Sequence, residues 1–250
     1  MYNFFAKKEN VAPQRYLITG SDYNHIKNVL RMKPGDNILV SFEGKSDLCR
    51  LASFENDTAT AIILEKDYKT TELPVKIHLF QGLPKSEKME LIIQKAVELG
   101  AAKIIPVEMQ RSVVKLDSKK KEAKLSRWQS ISESAAKQSK RNIVPTISPV
   151  LSFSEALKEA EKLDLFLIAY ENKDGMLATK ASLSKIKPDM SVGILIGPEG
   201  GFEETEIEKA KEFSDIISLG NRILRTETAA ITALSMLMLH SEIYLGGEEK

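Results

Sequence analysis

Apolar and polar positions change rhythm near residue 72. Before it, short runs rich in β-forming residues cover 15–19, 37–42, 47–54 and 58–65. Gly35-Asp36, Glu43-Gly44 and Glu55-Asn56-Asp57 separate them as turns. Short strands at regular spacing predict a small β-barrel over residues 1–72. The polar stretch 66–74 reads as a linker.

From Val75 onward the pattern alternates between strand and helix. An apolar strand over 75–80 leads through Gly82-Leu83-Pro84-Lys85 into a helix over 87–99, with Ser86 as its N-cap. Met89, Ile92, Ile93, Ala96 and Val97 recur at helical spacing and form its buried stripe, and Gly100 stops it. Further strands are expected at 103–107, 163–170, 192–196 and 216–219, with a long polar helix over 116–141. Repeated strand–helix units predict an α/β domain over 73–250, a parallel sheet covered by helices. The last helix, 226–245, carries apolar residues on nearly every side. Such a helix is buried, either inside one subunit or between two.

Composition narrows the classes. The chain has 250 residues, 42% hydrophobic and 28% charged, with a formal net charge of +1. That describes a globular chain of one large domain or two small ones. One cysteine, Cys49, excludes an internal disulfide and any multi-cysteine zinc site, and three scattered histidines make no metal centre. The N-terminal residues lack the apolar core of a signal peptide, and the apolar stretch 229–239 is short for a bilayer. A cytoplasmic chain without a membrane partner is expected.

Several catalytic signatures are absent. No G-x-G-x-x-G marks a dinucleotide site. Gly44-Lys45-Ser46 resembles the tail of a phosphate loop, but Leu39 stands where the first glycine belongs. No G-x-S-x-G is present, and Cys49 has no neighbouring histidine.

Two loops remain as candidates. Leu195-Ile196-Gly197-Pro198-Glu199-Gly200-Gly201 follows one strand, and Leu219-Gly220-Asn221-Arg222-Ile223-Leu224-Arg225-Thr226-Glu227-Thr228-Ala229-Ala230 follows the next. Ligands in open α/β sheets sit beyond the carboxyl ends of strands, so both loops can border one pocket. The glycines can serve tight turns alone, or can bring bare backbone up to a flat ligand. Glu199, with Glu203, Glu204 and Glu206 behind it, repels phosphate and suits a neutral or cationic ligand. Thr205 with Glu208 is a candidate capping box for the intervening helix. In the second loop, Ile223 and Leu224 can equally pack in the core with both arginines in solvent. Thr226 and Glu227 can equally be ordinary helix caps. Residues 111–141 hold ten basic and three acidic side chains, a local net charge of +7. This is either a solvated helix face or a phosphate-tracking surface.

GPEGG at 197–201 and LGNRILRTETAAITAL at 219–234 resemble the cofactor loops of the RsmE family of SPOUT methyltransferases. The likeness covers nearly the whole chain, including residues 25–36, 85–100 and 111–114. It implies an N-terminal PUA-like β-barrel that binds RNA, and a SPOUT domain whose C-terminal segment forms a trefoil knot. It implies a homodimer, S-adenosylmethionine as cofactor, and methylation of N3 of a uridine in 16S ribosomal RNA or the small subunit. Leu195 through Gly201, Leu219, Gly220, Ile223, Leu224, Arg225, Thr228 and Ala229 would then contact the cofactor. Glu227 would act as base, with Arg225 and Arg111 stabilising the uridine oxygens. Arg15, His25, Arg31, Lys85, Lys88, Arg127, Lys137 and Arg141 would hold RNA. Asn3 departs from the family, in which an arginine is common at that place, and Arg15 or Lys7 are the substitutes. Rival readings are a non-catalytic RNA-binding protein and a SPOUT enzyme acting on transfer RNA.

Overall fold

The computed structural model describes residues 1–170 and 175–246. The chain forms two compact units, Met1–Glu72 with Ala136–Val144, and Leu73–Ala135 with Pro145–Lys250.

In the first unit, strands β1 (Asn3–Phe5), β2 (Val11–Ala12), β3 (Arg15–Thr19), β4 (Asn37–Phe42), β5 (Lys45–Glu55) and β6 (Thr58–Glu65) form one sheet. Their order is β1-β4-β5-β6-β3-β2, antiparallel except where β1 lies parallel to β4. The register of β5 on β6 shifts twice, and such bulges bend a sheet around its core. Phe4, Tyr16, Ile38, Cys49, Leu51 and Ala61 fill that core. A short helix α1 (Gly20–Asn24) and a π-helical turn (His25–Val29) add Tyr23 and Ile26. β1, β2 and this helical segment fall outside the expected elements, being too short to show periodicity.

The second unit holds a parallel sheet: β7 (Lys76–Gly82), β8 (Ala101–Glu108), β9 (Thr146–Ile147), β10 (Leu151–Ser152), β11 (Leu165–Ala169), β12 (Ser191–Ile196) and β13 (Asp215–Ile217). The order is β10-β8-β7-β12-β11-β13, with β9 also on β8. The helices are α2 (Ser86–Glu98), α3 (Ser118–Ser139), α4 (Phe153–Ala160), α5 (Gly175–Leu183), α6 (Glu204–Ala210) and α7 (Thr226–Leu245). β7 and β12 lie at the centre, where chain progression reverses, so their carboxyl ends mark the switch point of the sheet.

Two caps differ from expectation. Lys85, not Ser86, occupies the N-cap position of α2. The capping box of α6 is Glu203 with Glu206, two residues before the expected pair, because Glu206 is buried and also accepts from the Gln110 N–H at 3.0 Å.

Helix α7 packs on α2, β7 and β12 through one side. Ala230, Ala233, Leu234 and Leu237 are buried there, whereas Leu239, Ile243 and Tyr244 are exposed. Its 20 residues are long and apolar enough to cross a bilayer by length and composition, unlike the shorter stretch read from the sequence. Its inner side is nonetheless committed to the sheet and α2.

Candidate active site

The loop after β12 is shaped by its own packing. A Cβ on Gly197 would lie 2.9 Å from the Phe202 ring, and one on Gly200 would lie 2.8 Å from both Cβ and O of Arg111. Gly201 has φ of +71°, and its N–H donates to the Pro198 carbonyl at 2.9 Å. A side chain at Gly82, where β7 ends, would strike Pro198 at 2.6 Å. These glycines are thus set by turn geometry and by close approach of protein to protein.

The chain then leaves β13 at the sheet edge and returns to its centre. Ser218 is held by Thr179, whose hydroxyl donates to the Ser218 carbonyl at 2.8 Å and accepts its N–H at 3.0 Å. Gly220 turns with φ of +105°. Thr226 reaches the middle: its hydroxyl donates to the Gly197 carbonyl at 2.7 Å and accepts from the buried Gln81 amide at 2.9 Å.

Two adjoining cavities flank this return. One, of about 290 Å³, is lined by residues 218–224, with Gly175 and Ala229. The other, of about 470 Å³, is walled by Ile196 through Glu199, Gly201, Lys88 and Arg225. Ala169, Tyr170, Ile223, Leu224 and Ala229 line both. Ile223 is 100% exposed, so it does not pack in the core. The geometry therefore gathers most of the residues singled out in the two loops. Leu195 is excluded because it faces the core beside Phe80. Gly200 turns against Arg111, and Thr228 is exposed on the first turn of α7. Arg111 lines neither cavity; its guanidinium binds Glu203 at 2.8 Å and 3.2 Å and the Gly200 carbonyl at 3.4 Å.

The polar wall, Lys88 and Glu199, continues behind the lining residues to Glu227, which lines neither cavity. Lys88 Nζ lies 3.0 Å from Glu227 Oε2 and 3.3 Å from Glu199 Oε1. The Lys85 N–H also donates to Glu199 Oε1 at 3.2 Å. Burial pushes both carboxyls up, but backbone hydrogen bonds and Lys88 outweigh it and hold them below the usual range. The hydrogen bond to Glu227, with that to Glu199, raises Lys88 against its own burial. Arg225 is exposed beside them.

The residues expected on RNA divide into two groups. Arg15, His25, Arg31 and Lys85 are exposed, His25 with its ring edge-on to Phe4. The others are engaged. Lys88 faces the carboxylates, Arg127 binds Glu90 at 2.6 Å and 2.7 Å, and Lys137 binds Asp22 at 2.7 Å. Arg141 is only 2% exposed and grips both oxygens of Glu72, while its carbonyl accepts from Asn3 at 2.9 Å. Arg141 is thus an internal clamp, and Asn3 is a buried partner of it, with no surface for a nucleic acid. The +7 of residues 111–141 is largely offset by acids distant in sequence: Asp22, Glu72, Glu90, Glu108 and Glu203.

Gln81, Ala169 and Tyr170 belong to the site without having been singled out. Their signal was available: Gln81 and Ala169 lie at the carboxyl ends of β7 and β11 and Tyr170 follows β11, where ligands gather.

Comparison with known proteins agrees with this geometry. The family model for an RNA methyltransferase domain matches residues 71–238, and that for an RNA methyltransferase PUA domain matches residues 18–64. The chain is 42% identical over 238 residues to ribosomal RNA small subunit methyltransferase E of Bacillus subtilis, covering 93% of each. It is 35% identical over 238 residues to the protein of that name from Mesomycoplasma hyopneumoniae, covering 94% of this chain and 98% of the other. The crystal structure of ribosomal RNA small subunit methyltransferase E from Neisseria gonorrhoeae, bound to S-adenosyl methionine, superposes with a TM-score of 0.79. It is 35% identical, over 96% of this chain and 97% of that one. A methyltransferase from Legionella pneumophila, in complex with bound cofactor SAM, gives 0.80 at 32% identity, over 94% and 96%. The chain belongs to the ribosomal RNA small subunit methyltransferase E family of RNA methyltransferases.

Proposed function

We propose that this chain methylates N3 of a uridine in 16S ribosomal RNA, with S-adenosylmethionine as methyl donor. The observation that carries the reading is the Thr226–Gly197 hydrogen bond, which draws the two loops together around the paired cavities. The walls fit the donor's chemistry. Apolar Ile196, Leu224 and Ala229 with bare backbone suit a flat base, and Glu199 suits a sulfonium or an ammonium. The return of the chain from β13 to the sheet centre is the course that a trefoil knot requires.

When bound, S-adenosylmethionine supplies a methyl group on a sulfonium, open to in-line displacement. The uridine N3 proton has a pKa above neutral and must leave before or during attack. Glu227, ionised against Lys88 just behind the cavity wall, is the group we assign to accept it. Arg225, exposed at the mouth, stabilises the negative charge that develops on the uridine oxygens. Arg111 serves the loop instead, through Glu203 and Gly200.

The exposed apolar side of α7 supports a homodimer that covers Leu239, Ile243 and Tyr244. The first unit, matched by the PUA model, would hold RNA through Arg15, His25 and Arg31. Acting on small-subunit ribosomal RNA, the chain would work in the cytoplasm.

The test is calorimetric titration with S-adenosylmethionine, followed by assay of small-subunit RNA for 3-methyluridine. Saturable binding and methylation are expected. A folded protein that binds RNA but neither binds the donor, with RNA present or absent, nor methylates would be a non-catalytic RNA-binding protein. Methylation of transfer RNA alone would move the substrate.

A further inference from the structure

Among the described residues, Lys88 is the side chain that touches both loops' carboxylates. It stands one turn into α2, 3.0 Å from Glu227 and 3.3 Å from Glu199, in the wall of the larger cavity. The three side chains are 28%, 15% and 23% exposed, so water screens the cluster only partly. Without the ammonium, two carboxylates would face each other across a half-buried wall, one from each loop. Like charges so placed repel, and they push one another toward protonation. Glu199 is additionally fixed by the Lys85 N–H, so the repulsion would fall on the start of α7 and on Glu227.

We propose that Lys88 is a positioning residue for methyl transfer, holding the cofactor loop and the proton acceptor together at one point. The proposal rests on the methyltransferase reading and on Glu227 as base. Through Glu199 the ammonium keeps the loop after β12 against α2. Through Glu227 it keeps a carboxylate ionised and unprotonated beside the cavity wall. The proton taken from N3 goes to Glu227, the nitrogen lone pair forms the new bond to carbon, and the carbon–sulfur bond electrons stay on sulfur. Lys88 itself exchanges no proton.

The charged groups facing Glu227 are Lys88 on α2 and Arg225 just before its own helix, with Glu199 linked through Lys88. β12 carries no ionisable residue, and Lys76 and His78 lie toward the opposite end of β7. Lys88 is therefore the principal cation opposing protonation from a neighbouring element.

The experiment compares Lys88→Met, Lys88→Arg and Lys88→Met/Glu199→Gln by donor titration, thermal melting and pH–rate profile on small-subunit RNA. Lys88→Met is expected to melt near the parent yet bind the donor about tenfold more weakly, the scale of one lost partly desolvated ion pair. Its acid limb should move to higher pH, because Glu227 loses the cation that favours its charged form. Adding Glu199→Gln should move the acid limb back toward the parent, because the carboxylate that repels Glu227 is gone. It should not restore affinity, because Glu199 itself faces the donor. Lys88→Arg should restore both in part. A folded Lys88→Met with unchanged affinity and unchanged acid limb overturns the proposal. If Glu227→Gln retains parental rate while Lys88→Met still binds the donor weakly, the base assignment falls and the proposal with it, leaving the methyltransferase reading intact. Failure of the parent to bind the donor removes that reading itself.

Discussion

Thr226 and Gly197 are separated by 29 residues and joined by one hydrogen bond of 2.7 Å, hydroxyl to carbonyl. Because Thr226 also accepts from Gln81 at 2.9 Å, the start of α7, the loop after β12 and the end of β7 share one buried hydroxyl. The two candidate cofactor loops meet there, at the central switch point of the sheet.

Thr226→Val keeps shape and removes that hydroxyl. It strands the Gly197 carbonyl and one of the two Gln81 amide contacts, and a buried polar group left unpaired costs about 1–3 kcal/mol. Chemical denaturation should show a loss of that size, and donor affinity should fall with it. Thr226→Ser, which retains the hydroxyl, should recover most of both. Equal losses in the two variants would mean that the methyl, not the hydrogen bond, matters.

Gly200→Ala tests what the glycine is for. Its Cβ would meet backbone and Cβ of Arg111 at 2.8 Å, neither of which can swing aside. Overpacking of this kind costs about 1–3 kcal/mol. The variant should lose thermal stability even without donor. A melting temperature equal to the parent, with donor binding alone abolished, would show that the position faces the ligand.

Arg141→Met removes the cation that Glu72 was buried with, leaving a carboxylate largely out of water. Breaking such a pair from one side costs about 3–5 kcal/mol. The loss should appear in urea unfolding with no RNA present. Unchanged stability with weakened RNA binding would return Arg141 to the RNA surface.

The sequence patterns were strongest where periodicity was long. The strands at 15–19, 37–42 and 58–65 coincide with β3, β4 and β6, and the last helix runs over Thr226–Leu245. Helices α4 and α5 were not anticipated, although the Ser152–Glu155 capping box of α4 was readable in the chain. The site was legible as two loops, because strand ends and glycines are local signals. Its wiring was not. Lys88 reads as one more lysine on a helix, and Arg141 as one more cation in a basic run. Their partners Glu227, Glu199 and Glu72 are distant in sequence, so burial and pairing alone decide their roles. At Gly197 and Gly200 the space a Cβ would take is filled by Phe202 and Arg111, so close packing accounts for both glycines, while Gly197 still lines the larger cavity.

Cys49 gives a probe of the first unit. Burial, then the charge of Asp47, pushes its thiol up to about 12. Thiolate is the reactive form, so the folded chain should resist a thiol reagent at pH 8 and react on unfolding. The rate of modification against denaturant then reports opening of the sheet around Tyr16 and Leu51. Fast labelling of the folded protein would show that this core opens readily.

Charge pairing along α3 sharpens the expectation for RNA. Lys119 and Lys124 make no ion pair among the described residues, whereas Arg127 and Lys121 on the same helix are held by Glu90 and Glu108. A paired cation must give up its carboxylate to meet phosphate, and so releases fewer counterions on binding. If α3 tracks the RNA backbone, Lys119→Gln and Lys124→Gln should each flatten the logarithmic salt dependence of binding by about 0.7 for single-stranded RNA. Arg127→Gln should change it less, despite removing the same charge. The measurement is RNA affinity across a salt series for the three variants. Slopes equal to the parent for Lys119→Gln and Lys124→Gln would take this helix off the RNA path, and leave recognition to the exposed Arg15, His25 and Arg31 of the first unit.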